Sequence, residues 1–490
     1  MRKLVSFIAV LFVTLLVWSS TPNVIVEHYT VEQGLPNNVV NCTLKDKDGF
    51  IWFGTWYGLC RFDGQKFYTY NKQQSPDSEL PPRKIQHIVE DKNQNLWLKT
   101  IDHKLFVFDK QTELFHAVYD DMKNYSDNIQ VVKMQTNASG EVLLLTLDRN
   151  LLLAEVNANG EINIRVLYDS KKEYNANAYR LKHSVIQETK DYICWIGIDD
   201  KIAAIKKSEF LADNPDNMIT TKLQLTDERY LTCMYEDGQY LWLGDNIGVF
   251  SCIDPQTGAV DRYVLPELKG QIQNLLAVED KQIYITLTGK GTYLYDLNNR
   301  ELKKIHLPIT DGYISESMVD RCGMIWFHEN GKSLICYDVL TDKAERYPYR
   351  NGTQLGYGIL YMEESKDDGL FFLTPVGEAL YFDRKEHKML QVESFKQLNP
   401  HGRTRINFFN LFQDRDGILW LASTDNGIYR IEFPKNQFDL VDIPFVNRND
   451  KNEVYGVRAL YQTKDGDIWI STRKPELYRY DKNKNLKHIY

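Results

Sequence analysis

Histidine and cysteine are sparse in this chain, and neither is arranged as a metal site. The ten histidines run from His28 to His488 with none three to five positions from another. No cysteine pair has zinc-knuckle spacing and no H-E-x-x-H occurs, so a transition-metal centre is not expected. Seven cysteines, Cys42, Cys60, Cys194, Cys233, Cys252, Cys322 and Cys336, are too few to scaffold 490 residues, and an odd count leaves one unpaired. Cys42 and Cys60 lie on either side of one strand, as do Cys233 and Cys252. Strands so placed are about 9 to 10 Å apart, beyond a disulfide's span. Small buried apolar residues are therefore the expected role.

Positive charge is not in excess either. The net charge is −8 without a block of one sign, and the isoelectric point near 5.8 argues against a nucleic-acid partner. Gly289-Lys-Gly291 lacks the rest of a phosphate loop, and no G-x-S-x-G elbow is present. Carboxylates are plentiful, but nothing selects a catalytic pair. Catalysis is not expected of this chain, and no cofactor is implied.

Long hydrophobic runs are also missing, save one. Met1-Arg2-Lys3, the apolar run Leu4 to Trp18 and Ser19-Ser20-Thr21-Pro22 have the charge, length and small-residue exit of a secretory signal, residues 1–21. The run is short for a span of a roughly 30 Å hydrocarbon core. Export is expected.

What fills the rest is one pattern repeated ten times: a turn, a short apolar strand with an anchor residue, a second turn and another strand. The anchors are Trp52, Trp97, Leu143, Trp195, Trp242, Tyr284, Trp326, Phe371, Trp420 and Trp469, spaced 42 to 52 residues apart. A strand-coding period in the forties means a β-propeller. Asp48-Gly49, Asp237-Gly238, Asp368-Gly369, Asp416-Gly417 and Asp465-Gly466 precede anchors as tight hairpin turns. Asp46-Lys-Asp-Gly49 and Asp414-Arg-Asp-Gly417 resemble the start of a calcium loop but lack its Gly and Glu, so they read as turns. Asp63, Asp109, Asp254, Asp296, Asp338, Asp383 and Asp481, each 11 or 12 residues past an anchor, are expected to close turns by accepting backbone N–H bonds.

The chain is thus read as all-β, an array of about ten four-stranded blades. Propellers typically close with about four to eight blades. The expected division is therefore one seven-bladed propeller over residues 22–350 and the incomplete start of a second over 351–490, about three blades, truncated. The segment Val24 to Pro36 reads as a strand and a turn, a candidate seal for a ring. The hairpin tips offer polar and aromatic groups that can stack on and hydrogen-bond a sugar. The ligand-binding candidates are Trp56, Tyr57, Asp245, Asn246, His328, Asp425, Asn426 and Arg473.

The run I-W-F-G-T-W-Y-G-L-C-R-F-D at 51–63, preceded by G-L-P-N-N-V-V at 34–40, closely resembles the two-component regulator propeller repeat. Residues 405–420 and 457–469 extend the resemblance. That repeat builds the periplasmic sensor region of Bacteroides-type hybrid two-component systems. The resemblance implies two seven-bladed propellers ahead of a β-sandwich, membrane helix, kinase, receiver and DNA-binding region. It also implies a periplasmic location, a homodimer in the full-length sensor, and glycan fragments as ligands that switch polysaccharide-utilisation genes. Membrane attachment is implied only through the downstream region, which this chain lacks, and the repeat motif transfers no ligand contacts. A secreted propeller enzyme acting on glycans and a protein-binding propeller adaptor are the alternatives.

Overall fold

The apolar run around each anchor becomes the second strand of a four-stranded antiparallel sheet. The computed structural model describes residues 25–71, 80–118, 122, 130–137, 139–148, 150–157, 160–168, 186–196, 201–207, 219–222, 230–278, 281–310, 313–349, 361–364, 369–373, 379–391, 408–432, 456–473, 476–482 and 485–490. The expected signal at 1–21 lies outside them. Among the described residues there are ten such sheets, here blades 1 to 10 in the order of their anchors.

Burial explains why those runs open on three consecutive apolar residues rather than alternating. Every residue of Ile51–Thr55, Leu96–Thr100, Ile325–Glu329 and Leu419–Ser423 is buried, because both faces of each sheet are covered. The fourth strands, such as Val260–Tyr263 and Glu301–Ile305, are largely exposed. First strands of neighbouring blades touch, as Val40–Lys45 does Ile85–Glu90. Each blade therefore runs from an inner first strand to an outer fourth.

The chain divides into a unit through Phe433 and a second from Pro434. In the first unit, nine apolar cores each join two neighbouring blades. The core of Phe53, Phe62 and Leu35 with Trp420, Ala422 and Ile428 joins blade 9 back to blade 1. The seal is the N-terminal strand Ile25–Tyr29. It pairs antiparallel with Ile428–Glu432, from Ile25 opposite Glu432 to Tyr29 opposite Ile428. Lys45 bridges the same junction to Asp414 at 3.2 Å and Asp416 at 2.5 Å. The expected division at 350 is not the one the contacts make. Blades 8 and 9 continue the circuit, and beyond it one further blade is described, Val457–Ile489.

An aspartate, buried in every case but the exposed Asp237, ties five of the tryptophan anchors to their hairpins. Trp52, Trp97, Trp242, Trp326 and Trp420 donate their indole Nε1 to Asp46, Asp91, Asp237, Asp320 and Asp414 at 2.7 to 3.2 Å. The other carboxylate oxygen closes the turn, as Asp91 does for the N–H groups of Asn93 and Asn95 at 2.9 Å. The calcium-like runs are thus turns, as their missing ligands indicated. The exit aspartates also accept backbone N–H groups, Asp63 from Gln65 and Lys66, Asp338 from Leu340. Trp195 departs from the other anchors. Gln187 pairs with Cys194 rather than with the tryptophan, and Trp195 packs on the preceding blade with Leu143 and Leu145. A one-residue register offset turns a side chain to the other face of a sheet, and Trp195 Nε1 has no partner.

All seven cysteines are free, five of them buried. Cys42 and Cys233 each stand opposite a glycine, Gly54 and Gly244. A Cβ on Gly244 would come within 2.7 Å of both Cys233 Sγ and Ile272 Cγ2, so the sulfur fills a contact that only glycine leaves open.

Candidate ligand-binding face

Because every blade of the first unit has the same strand order, the hairpins between second and third strands all emerge on one side, with the links that run from blade to blade. Among the described residues, tips are pinned to links by their backbone. Trp56 donates to Val39 O at 3.2 Å, Ile101 to Lys84 O at 3.0 Å, Leu147 to Gln130 O at 2.8 Å, and Asn246 to Tyr230 O at 3.1 Å. The repeat thus presents its tips as a fixed set rather than as free loops.

The predicted site residues separate by burial. Trp56 and Tyr57 are exposed, 44% and 46%. Lys84 Nζ lies 5.2 Å from the Trp56 ring centre and the Arg83 guanidinium 5.1 Å from that of Tyr57, which orients the rings through cation–π attraction. Asp425 is exposed on the equivalent tip of blade 9, which packs against blade 1. The fold therefore brings Trp56, Tyr57 and Asp425 to neighbouring tips. Arg473 is exposed in the second unit, its N–H bonded to Gly456 O at 3.0 Å.

The other candidates are committed to the scaffold. Asp245 is fully buried and accepts from the N–H groups of Ile247, Gly248 and Val249 at 2.8 to 3.0 Å. Asn246 Oδ1 accepts from Tyr230 N at 2.9 Å. Asn426 donates its N–H to Ser423 Oγ and its carbonyl accepts from His28 Nε2 at 2.6 Å. His28, on the sealing strand, also stacks on Tyr429.

His328 is not at a tip at all. It lies within Ile325–Glu329, fully buried. Its Nδ1 is 2.8 Å from Ser315 Oγ while Nε2 has no partner. Burial pushes its imidazole down to about 4. Beside it Glu329, also fully buried, accepts from Ser333 Oγ, from Thr310 N at 2.9 Å and from Arg346 at 2.8 Å. Burial alone would raise that carboxyl, but these bonds together hold it below the usual carboxylate range.

Two concavities escaped the sequence reading, since each is assembled from different blades or turns. One of about 260 Å³ lies on the tip side around Lys290, Lys304, His306, Ile309 and Tyr313. A larger one of about 570 Å³ lies on the opposite side among turns of blades 1 to 3, with Gln94, Gln111, His116 and Asn157 in its wall. Among the described residues no group of three or more His, Cys, Asp or Glu can hold a metal. No described helix is long and apolar enough to cross a membrane.

The sequence model of the two-component regulator propeller family matches residues 34–57 and 452–474. No curated protein matches the chain. Among solved structures it is similar to the extracellular domain assigned to a hybrid two component system of B. thetaiotaomicron, at 16% identity and TM-score 0.34, covering 95% of this chain and 66% of that one. A second such domain from the same organism aligns at 15% identity and TM-score 0.28, covering 94% and 61%. The chain thus spans less than two thirds of the length of those domains. A catalytically inactive virginiamycin B lyase from Staphylococcus aureus aligns at 13% identity and TM-score 0.40, covering 61% of this chain and 93% of the lyase. Similarity at these levels does not extend to function.

Proposed function

We propose that this chain is the periplasmic ligand-sensing region of a hybrid two-component system, and that it binds glycan fragments to regulate polysaccharide-utilisation genes. The observation that carries the reading is the family match at two separate repeats, 34–57 and 452–474. The exposed Trp56 and Tyr57 rings provide flat apolar surfaces for one face of a pyranose, and Asp425 on the adjoining tip supplies hydrogen-bond acceptors for its hydroxyls. A ligand transmits a signal only through the difference between its affinities for two states. A tenfold preference corresponds to about 1.4 kcal/mol.

Isothermal calorimetry against plant, host and microbial oligosaccharides tests the proposal. At least one is expected to bind saturably, and Trp56→Ala with Tyr57→Ala to weaken it at least tenfold. Silence across the panel would remove the glycan reading, and undiminished binding by the double variant would move the site elsewhere.

A further inference from the structure

Two ionisable departures from the repeat stand out, His328 and Lys99. Two residues past the anchor, the second strand meets the first strand of the next blade, and blades 1, 5, 6 and 9 carry the small residues Gly54, Gly244, Thr286 and Ala422 there. Blade 2 carries Lys99, only 6% exposed. Its ammonium donates to Gln86 Oε1 at 2.7 Å, and among the described residues no carboxylate pairs with it. Two other shielded lysines are unlike it. Lys45 has Asp414 and Asp416, and Lys110 has Asp46, Asp48 and Glu90.

Basic groups surround Lys99 instead. His87 stands directly opposite it in the sheet, and Lys133 lies on the first strand of the next blade. Burial and then Lys133 hold the Lys99 ammonium below its usual range. Burial, Lys133 and Lys99 push His87 down to about 4. Cys42, the nearby thiol on blade 1, is pushed up to about 12 by burial and carries no charge to answer them. The acids of the adjoining strands are engaged at their far ends, Glu90 with Lys110 and Glu141 with Lys92. In a protein of net charge −8, the buried Lys99 ammonium and the half-buried Lys133 thus have no carboxylate counter-ion among the described residues, and an unpaired buried charge is costly until an opposite charge arrives.

We propose that Lys99, His87 and Lys133 form a site for one oxyanion, a carboxylate or sulfate group carried by a ligand, between the inner strands of blades 2 and 3. Lys99 and Lys133 supply charge, and Gln86, exposed beside them, holds the Lys99 ammonium in place. An anion there favours the protonated imidazole and raises His87 from about 4, so binding takes up a proton and strengthens as pH falls toward the value the imidazole has in the complex. The site needs only an anion, so it stands or falls apart from the glycan reading.

The full chain is titrated by calorimetry with sulfate, inorganic phosphate and glucuronate at constant ionic strength against chloride, at pH 7 and pH 6. Saturable binding of at least one is expected, tighter at pH 6, with a shift of the His87 ring-proton resonance. Glucuronate alone would identify an acidic sugar as the source. Sulfate or phosphate alone would identify a free or ester-borne oxyanion. Lys99→Met should bind at least tenfold more weakly, yet melt no lower than the parent in chloride, since it removes an unpaired buried charge. Lys133→Met, at a half-buried position, gives the same readout should the first variant fail to fold. No saturable anion binding, or binding unchanged in both variants, would overturn the proposal.

Discussion

Replacing Asp91 by alanine isolates what holds an anchor in its blade. Asp91 is 2% exposed and Trp97 0%. The carboxylate takes the Trp97 indole at 2.9 Å on one oxygen and the N–H groups of Asn93 and Asn95, each at 2.9 Å, on the other. Alanine leaves the indole N–H with no partner and no route to water, a penalty of about 1–3 kcal/mol. The turn N–H groups are less enclosed and can hydrate, so their loss adds about 1 kcal/mol. A total of about 3 kcal/mol follows. Unfolding entropy near about 2.1 cal/mol/K per residue, over a unit of 433 residues, converts it to a fall in Tm of about 3 °C.

Scanning calorimetry of Asp91→Ala, Trp97→Phe and the double variant measures this. In the Trp97→Phe background the alanine should cost only the turn share, about 1 kcal/mol, giving a coupling of about 1–3 kcal/mol. Asp91→Asn, which keeps an acceptor for the turn but faces the indole with an N–H₂ group, should lose only the indole share. If Asp91→Ala costs the same with and without the indole, the clamp is a turn and nothing more. Blade 4 provides an internal comparison: Thr189 stands near the equivalent turn, bonded to Tyr192 N at 3.1 Å, and Trp195 Nε1 has no partner. Thr189→Ala should therefore cost only its turn.

Deleting residues 1–30 removes the strand opposite Ile428–Glu432 and leaves an open sheet edge, which pairs with other chains. Light scattering on a sizing column should then show oligomers or aggregate, and a folded monomer would refute the seal. Arg346→Leu leaves the fully buried Glu329 without its guanidinium and should cost about 3–5 kcal/mol near neutral pH. Because the Glu329 carboxyl is lowered in the fold, its contribution is present above the usual carboxylate range and lost as pH falls through the folded value, so the difference between variant and parent should shrink in acid. A constant difference down to pH 3 would contradict it. His328, held neutral down to about 4, resists the proton that the unfolded chain accepts near about 6.5. Stability should thus fall between those values on acidification, by roughly 3 kcal/mol, and His328→Gln should flatten that slope in urea titrations at pH 7, 6 and 5.

What the sequence discloses here is what the repeat states locally. Asp48-Gly49 needs a turn because Gly49 sits at φ 95°, and Trp52 needs cover because Ile51–Thr55 is buried throughout. Both facts lie within one hairpin. The ring closure does not, since Ile25–Tyr29 can complete any blade whose third strand is open, and its partner is about 400 residues away. The register offset that turns Trp195 round is likewise invisible to a motif that aligns tryptophans. Tip chemistry fails for a different reason. Asp and Asn close turns with the same oxygens that would hold a sugar, so Asp245 and Asn426 look like binding residues until their partners are seen. His328 and Lys99 carry the opposite lesson. They are ionisable residues two positions past an anchor, where Gly54 and Gly244 show that space is scarce. A departure from the repeat at a crowded inner position is therefore a sharper pointer to function than conformity at an exposed tip, because no turn requires it and its desolvation must be answered by something.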